Sequence, residues 1–111
     1  MAEFCGVFPV LPGKSDAMRK FAQECQSRRE DFVTSLKRIG GSEERWFLQE
    51  GDPDLVLVYF EADDVGAAFG GFAESKDPFD VWQKEQILDI CGVDLTQPGP
   101  PPPAKIFDSK G

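Results

Sequence analysis

The stretch Asp54-Leu55-Val56-Leu57-Val58-Tyr59-Phe60-Glu61 decides the fold, because it has the composition of a strand and is apolar on both faces. Side chains alternate across a strand, so one face receives Leu55, Leu57 and Tyr59 and the other receives Val56, Val58 and Phe60. A sheet with one face in water would alternate apolar with polar residues. The pattern therefore predicts a strand that is covered on both sides.

A hairpin precedes this strand. Residues 43–49 alternate around Trp46 and Leu48, and Glu50-Gly51-Asp52-Pro53 supplies turn-forming residues. A further strand is predicted at residues 3–10, since this segment is rich in aromatic and β-branched residues and ends at Leu11-Pro12-Gly13. In it Phe4, Phe8 and Val10 would face one way and Cys5 and Val7 the other.

Three helices are predicted between and after the strands. The first begins at Ser15 as N-cap and ends near Gly40-Gly41, with one apolar stripe formed by Met18, Phe21, Cys25, Phe32 and Leu36. The second runs from the capping pair Asp63-Asp64 to about Ser75. The third covers residues 79–91 and stops at Gly92.

The last part of the chain is predicted to be a spacer and a short strand. Residues 97–103 contain five prolines and favour an extended polyproline II conformation, and residues 104–108 have the composition of a strand. The proline stretch also has the spacing of an SH3-type ligand, although a spacer that carries the last strand across a dimer edge explains it more simply.

The order of elements predicts an α+β protein with the ferredoxin-like βαββαβ arrangement: an antiparallel sheet with helices on one face, in a single domain over residues 1–111. Helices can cover only one face of such a sheet. Since the strand predicted at residues 55–60 is apolar on both faces, we expect a homodimer in which two sheets pack face to face about a twofold axis.

Composition excludes several classes of function. The chain has 111 residues and no histidine, so Ser-His and Cys-His nucleophile pairs and His-ligated haem or zinc are excluded. A net charge of −8 disfavours nucleic acid and anionic membranes as partners. No apolar run reaches the roughly 18 residues of a membrane span, and residues 1–20 lack a signal-peptide pattern, so we expect a cytoplasmic protein.

Motifs for metals, cofactors and covalent chemistry are weak. Cys5, Cys25 and Cys91 are far apart and form no C-x-x-C pair, which favours reduced core thiols over a disulfide or a zinc ribbon. Gly13-Lys14-Ser15 lacks the earlier glycine of a phosphate-binding loop and is interpreted as a turn followed by an N-cap. The sequence predicts no cofactor and no metal.

Acidic pairs are the other candidates for chemistry. They occur at Glu43-Glu44, at Asp63-Asp64 and at Asp77 with Asp80. Such pairs can act as acid/base couples or hard-metal ligands, but solvated surface and helix capping explain them more simply.

A set of aromatic and basic residues forms the candidate ligand site. We expect them to line a pocket between the sheet and the helices, with arginine as the cation; the set is Phe8, Arg28, Arg29, Trp46, Tyr59 and Trp82. The alternative is that the aromatic rings are ordinary core. A cavity of roughly 300 Å³ near Tyr59 would favour ligand binding over the alternative.

Several segments also carry a resemblance to a known superfamily. They are Pro12-Gly13-Lys14, Arg28-Arg29-Glu30, Glu44-Arg45-Trp46-Phe47-Leu48, Val58-Tyr59-Phe60-Glu61-Ala62-Asp63-Asp64 and Ser75-Lys76-Asp77-Pro78-Phe79-Asp80. From Phe4 to about Cys91 the chain resembles the dimeric α+β barrel superfamily, and is most similar to a branch of small bacterial proteins of unknown function.

The resemblance implies a homodimer. The same superfamily contains cofactor-independent monooxygenases, haem-degrading enzymes and dehydratases. Histidine is common in that branch near the Asp-Pro-x-Asp segment, where this chain has Asp77 and Trp82. We therefore expect a homodimeric barrel that binds a small apolar or aromatic molecule. The alternatives are a non-catalytic interaction module and a cofactor-independent monooxygenase-like enzyme.

Overall fold

The computed structural model describes residues 2–111 and contains three strands and four helices in that part of the chain. In chain order the elements are β1 (Ala2–Pro9), α1 (Ser15–Ser27), α2 (Arg29–Arg38), β2 (Gly41–Gln49), β3 (Leu55–Ala62), α3 (Val65–Glu74) and α4 (Pro78–Cys91). The α+β class and the hairpin of β2 and β3 are as predicted, and the whole is compatible with a ferredoxin-like fold.

The strand predicted to be covered on both sides lies in the centre of the sheet. The order is β1-β3-β2, and both pairings are antiparallel. Val56 and Phe60 face the helices and are almost completely buried, whereas Leu55, Leu57 and Tyr59 face away from them and are partly exposed. The helices therefore cover one face of the sheet, which we call the helix side. They leave the other face uncovered, and we call it the outer face.

Two clusters of buried residues fill the helix side. The larger joins the residue that follows β1 with β3, α1 and α4, through Val10, Met18, Phe21, Val56 and Ile90. The smaller joins α2, β3 and α3 and consists of Leu36, Phe60, Ala62 and Ala68. The stripe predicted for the first helix therefore does face the sheet.

The first helix differs from its prediction at both its start and its middle. Ser15 is the first helical residue rather than the N-cap, and its hydroxyl bonds the Asp54 carboxylate at the start of β3 instead. The helix is also interrupted at Arg28, whose backbone leaves helical geometry (φ −104°, ψ 38°). At the break the Arg28 guanidinium lies 4.6 Å from the Phe79 ring centroid, and this cation–π contact stabilises the kinked geometry.

The short last strand predicted at residues 104–108 is not formed. Ile106 and Phe107 are 95% and 79% exposed, so neither face of this segment is buried. A five-residue strand gains too little from edge pairing when no apolar face is covered. The segment instead contacts the sheet through an ion pair between Lys105 and Glu3 on β1.

One acidic residue predicted to be solvated is part of the interior. Asp80 is completely buried in the first turn of α4. Its carboxylate accepts hydrogen bonds from Ser35, from Arg38 at 2.8 Å and from Ser75 at 2.5 Å. The prediction for Asp80 was wrong because three donors from α2 and the α3–α4 connection replace its hydration. Asp77 and Asp64 do cap helices, as predicted.

Candidate functional site

The outer face carries an apolar surface in two rows across the strands. Strand register places Cys5, Tyr59 and Arg45 in one row and Val7, Leu57 and Phe47 in the next. Val7 and Phe47 are 48% and 57% exposed. The expectation that Cys5 is a core thiol was wrong, because its odd position on β1 turns it to this uncovered face.

A depression of about 330 Å³ lies in the middle of the outer face. Its lining consists of Cys5, Arg45, Phe47, Leu57, Val58 and Tyr59. The Arg45 guanidinium is 5.9 Å from the Tyr59 ring centroid and pairs with the Glu43 carboxylate. The depression therefore combines apolar walls with one cation that is paired with a carboxylate.

Three carboxyl groups border the depression at one end. Glu3, Glu61 and Glu43 lie side by side on β1, β3 and β2. A hydrogen bond with Glu43 raises the pKa of Glu61 above its ordinary value, and the same interaction lowers that of Glu43. Negative charges on three neighbouring carboxylates repel one another. This end of the outer face therefore favours protonation of a carboxylate or the presence of a nearby cation.

Tyr59 stands between the depression and the carboxyl row. Its hydroxyl donates a hydrogen bond of 3.3 Å to Glu3. Desolvation, followed by the effects of Glu61 and Glu3, raises the pKa of Tyr59 to about 12. The phenol therefore stays protonated at neutral pH and serves as a hydrogen-bond donor rather than as a base.

The helix side holds a cluster of aromatic rings where the sequence predicts a pocket. Phe21 stacks on Trp46 with ring centroids 5.3 Å apart, and Trp82 meets Phe21 edge-on at 5.2 Å. Phe32 packs against Trp46 at 5.7 Å, and Arg28 lies 5.0 Å from the Trp82 ring centroid. The rings fill the space between the sheet and α1, α2 and α4, so here the aromatic residues are core.

A carboxyl group is enclosed beside these rings. Glu44 points to the helix side of β2, is partly buried, and accepts a hydrogen bond of 2.6 Å from the Trp46 indole. Burial raises the pKa of Glu44 to about 7. The prediction that Glu43-Glu44 is simply solvated surface was wrong for Glu44, because strand alternation sends these neighbours to opposite faces.

The two cysteines on the helix side are inert. Cys25 and Cys91 are free and buried, as predicted. Burial raises the pKa of Cys25 to about 12, with a contribution from Glu44, and raises that of Cys91 to about 11. Neither thiol forms a nucleophilic thiolate near neutral pH.

The six residues predicted to share one pocket are divided among three places. Phe8, Trp46 and Trp82 pack with the core of the helix side, and Arg28 covers its edge. Tyr59 lies on the outer face. Arg29 lies at the start of α2, in a separate open depression of about 560 Å³ that it shares with Glu30, Val33 and Thr34.

The outer face contains site residues that the sequence analysis did not name as candidates. Arg45, Phe47 and Leu57 join Tyr59 and Cys5 around the depression. The sequence does contain a pattern that indicates these residues. β3 is apolar on both faces, and β2 pairs with it in the predicted hairpin. Among residues 2–111 there is no group of three or more Cys, Asp or Glu side chains placed to hold a metal ion.

These features define an α+β protein with a three-stranded antiparallel sheet, helices on one face and an apolar depression on the other. The chain belongs to a family of unknown function, DUF6176, whose family model matches residues 1–96. The match spans every strand and helix and ends before the proline-rich segment. No curated protein and no solved structure matches the chain. Within residues 2–111, each helix is too short or too polar to cross a bilayer.

Proposed function

We propose that this protein is a homodimer whose two outer faces pack together, and that it binds a small apolar or aromatic molecule in the depression beside Tyr59. The observation that carries the proposal is the 330 Å³ depression in the apolar, uncovered face of the sheet. Ligand pockets of proteins begin at about this size. The site lies on the opposite side of the sheet from the pocket expected from the sequence.

The dimer is supported by the chemistry of the outer face. Val7, Phe47, Leu55 and Leu57 form a contiguous apolar surface on three adjacent strands. Antiparallel sheets leave a face in water when it is polar, whereas an apolar face is covered by another layer. A second copy supplies such a layer, and it would close the open depression on its exposed side.

The ligand class follows from the lining. Phe47, Leu57 and the Tyr59 ring offer apolar and aromatic contacts, and Tyr59 and Arg45 offer hydrogen-bond donors. Arg45 pairs with Glu43 and lies in the row next to Glu3 and Glu61, so a carboxylate on the ligand would compete with Glu43 for the guanidinium. An aromatic molecule with one oxygen substituent fits the apolar walls and the donors of Tyr59 and Arg45.

Assembly is tested by placing a charge on the outer face. We expect Leu57→Asp to yield a monomer in light scattering, because the buried interface would hold two uncompensated carboxylates. Leu88→Asp is the matched control, since Leu88 is 50% exposed on α4, away from the sheet. A wild-type protein that is monomeric at high concentration would refute the dimer.

Ligand binding is tested separately by thermal shift with polycyclic aromatic compounds, with and without a carboxylate. We expect stabilisation of the wild type, a reduced shift for Phe47→Ala, and a full shift for Leu88→Ala. If no compound stabilises the wild type, or if Phe47→Ala responds like the wild type, the proposed site is wrong.

The second candidate function is an interaction module without a ligand. It is favoured by the filled helix side and by the wholly exposed proline-rich segment at residues 98–103. A cofactor-independent monooxygenase has less support, because the aromatic rings occupy the space between sheet and helices. The free cysteines among residues 2–111 support a reducing compartment, and we propose that the protein is cytoplasmic.

A further inference from the structure

The segment after α4 presents two large apolar side chains that nothing in the subunit covers. We call residues 98–111 the trailing segment. Ile106 is 95% exposed and Phe107 is 79% exposed, the highest values among the exposed large hydrophobic residues in the described chain. Adjacent exposed apolar residues of this size are typical of contacts with another surface.

An ion pair holds the trailing segment at the border of the outer face. Lys105 Nζ lies 2.7 Å from Glu3 Oε1 and 3.2 Å from Asp108 Oδ2. Glu3 projects from β1, the edge strand of the sheet, at the carboxyl end of the outer face. The segment therefore lies beside the surface on which a second copy would sit.

The spacer keeps these side chains away from their own core. Pro98 and the four prolines at 100–103 favour polyproline II, which extends about 3.1 Å per residue and is stiff over several residues. In this conformation residues 98–103, five prolines and Gly99, would span about 19 Å. The segment is thus presented beside the sheet rather than folded onto the helices.

The outer face is smaller than the area that a stable dimer interface buries, so the dimer needs an additional contact. Three strands of eight or nine residues give a patch of about 26 by 14 Å, or about 370 Å². A stable interface buries about 800 Å² on each partner. A buried phenylalanine contributes about 150–250 Å². Phe107 of each copy, with Ile106 beside it, therefore supplies a large part of the area that the sheets lack.

We propose that the trailing segment of each copy docks on the second copy of this chain, with Ile106 and Phe107 as apolar anchors against its outer face. This inference rests on the proposed face-to-face dimer. Lys105 fixes the position of the anchors, because its ion pair with Glu3 of the same subunit holds the segment at the edge of the outer face. The anchors thereby complete an interface that the sheets alone leave small.

The test is the dimer dissociation constant measured by sedimentation equilibrium. The variant Ile106→Ser with Phe107→Ser is expected to weaken dimerisation by about 100-fold or more, because four apolar side chains per dimer lose their burial. Ser109→Ala is the matched control and should leave the constant unchanged. Both anchors are exposed in the subunit, so the double variant should fold as the wild type does.

The outcomes separate this inference from the proposed function. Suppose that the wild type dimerises, that Leu57→Asp is monomeric, and that the double variant has the dissociation constant of the wild type. The sheets then form the dimer, and the proposed docking of the trailing segment is wrong. If the double variant instead has a lower melting temperature at every protein concentration with an unchanged dissociation constant, the segment packs on its own subunit, which also overturns the inference. A monomeric wild type refutes the dimer itself.

Discussion

Arg38 at the end of α2 donates a hydrogen bond of 2.8 Å from Nη1 to Oδ2 of Asp80, whose carboxylate is completely buried in the first turn of α4. Ser35 and Ser75 donate to the same carboxylate. A single side chain therefore joins α2, the α3–α4 connection and α4. Because its donors satisfy both oxygens, the Asp80 carboxylate is buried without an unpaired oxygen atom.

Loss of this carboxylate should destabilise the fold strongly. We expect Asp80→Ala to lower the free energy of unfolding by about 3 kcal/mol, because it leaves the buried Ser35 hydroxyl without its acceptor and removes the partner of Arg38. Urea denaturation followed by tryptophan fluorescence measures the change. Asp89→Ala is the control: it removes only an exposed ion pair with Lys14 and should shift the midpoint little. Equal effects of the two substitutions would contradict the role assigned to Asp80.

Glu44 should make stability depend on pH between about 4.5 and 7. Burial raises its pKa in the folded state to about 7, from 4.5. The folded state then holds a proton that the unfolded state has lost, so the contribution of Glu44 to the free energy of unfolding falls as pH rises through this window. The fall should be on the order of 3 kcal/mol for a shift of this size.

The matched variant for this prediction is Glu44→Gln. The amide oxygen still accepts from the Trp46 indole but does not ionise. Urea unfolding at pH 5 and pH 8 should therefore show a smaller loss of stability for the variant than for the wild type. If the free energy of unfolding changes equally with pH in the two proteins, the Glu44 carboxyl is solvated and the prediction is wrong.

Tyr59 should titrate above the ordinary range of tyrosine. It is the single tyrosine of the chain, so the absorbance of tyrosinate reports on it alone. Desolvation and the carboxylates of Glu61 and Glu3 raise its pKa to about 12. Glu61→Gln should lower this pKa, because it removes one of the neighbouring charges. Glu50→Gln, at the far end of the β2–β3 hairpin, should not change it.

Two glycines should respond to alanine in opposite directions. Gly92 closes α4 with φ +71°, and a Cβ there would also contact Leu11 at 3.4 Å. We expect Gly92→Ala to destabilise the protein by about 1 kcal/mol. Gly70 lies inside α3 with open space around its Cα, so Gly70→Ala should stabilise by about 0.5–1 kcal/mol. Thermal unfolding of both variants measures the signs, and a destabilising Gly70→Ala would contradict the prediction.

The main elements of the fold were predictable because they depend on local patterns. The alternation at residues 55–60, the turn residues at 50–53 and the apolar stripe of residues 18–36 each specify an element and its buried face. The break at Arg28 was not predictable in the same way. It accompanies a contact with Phe79 and Trp82, which lie some fifty residues further along the chain.

The candidate site was predictable only in part. Tyr59 was a candidate, and a cavity near it was expected. Its grouping with Trp46 and Trp82 was wrong. Alternation separates Tyr59 from Val56 and Phe60, but only the tertiary structure decided that the helices cover the face of Val56 and Phe60, which leaves Tyr59 beside Cys5 and Arg45 on the outer face.

The sequence by itself determined the α+β class, the hairpin, the helical segments and the presence of two apolar faces on the central strand, since side-chain periodicity reports directly on burial. Only the tertiary structure decided which acidic residues are buried, where the depression lies and whether residues 104–108 join the sheet. Those outcomes depend on contacts between distant segments: Asp80 is buried because Ser35 and Arg38 reach it, and Ile106 is exposed because no strand of its own subunit covers it.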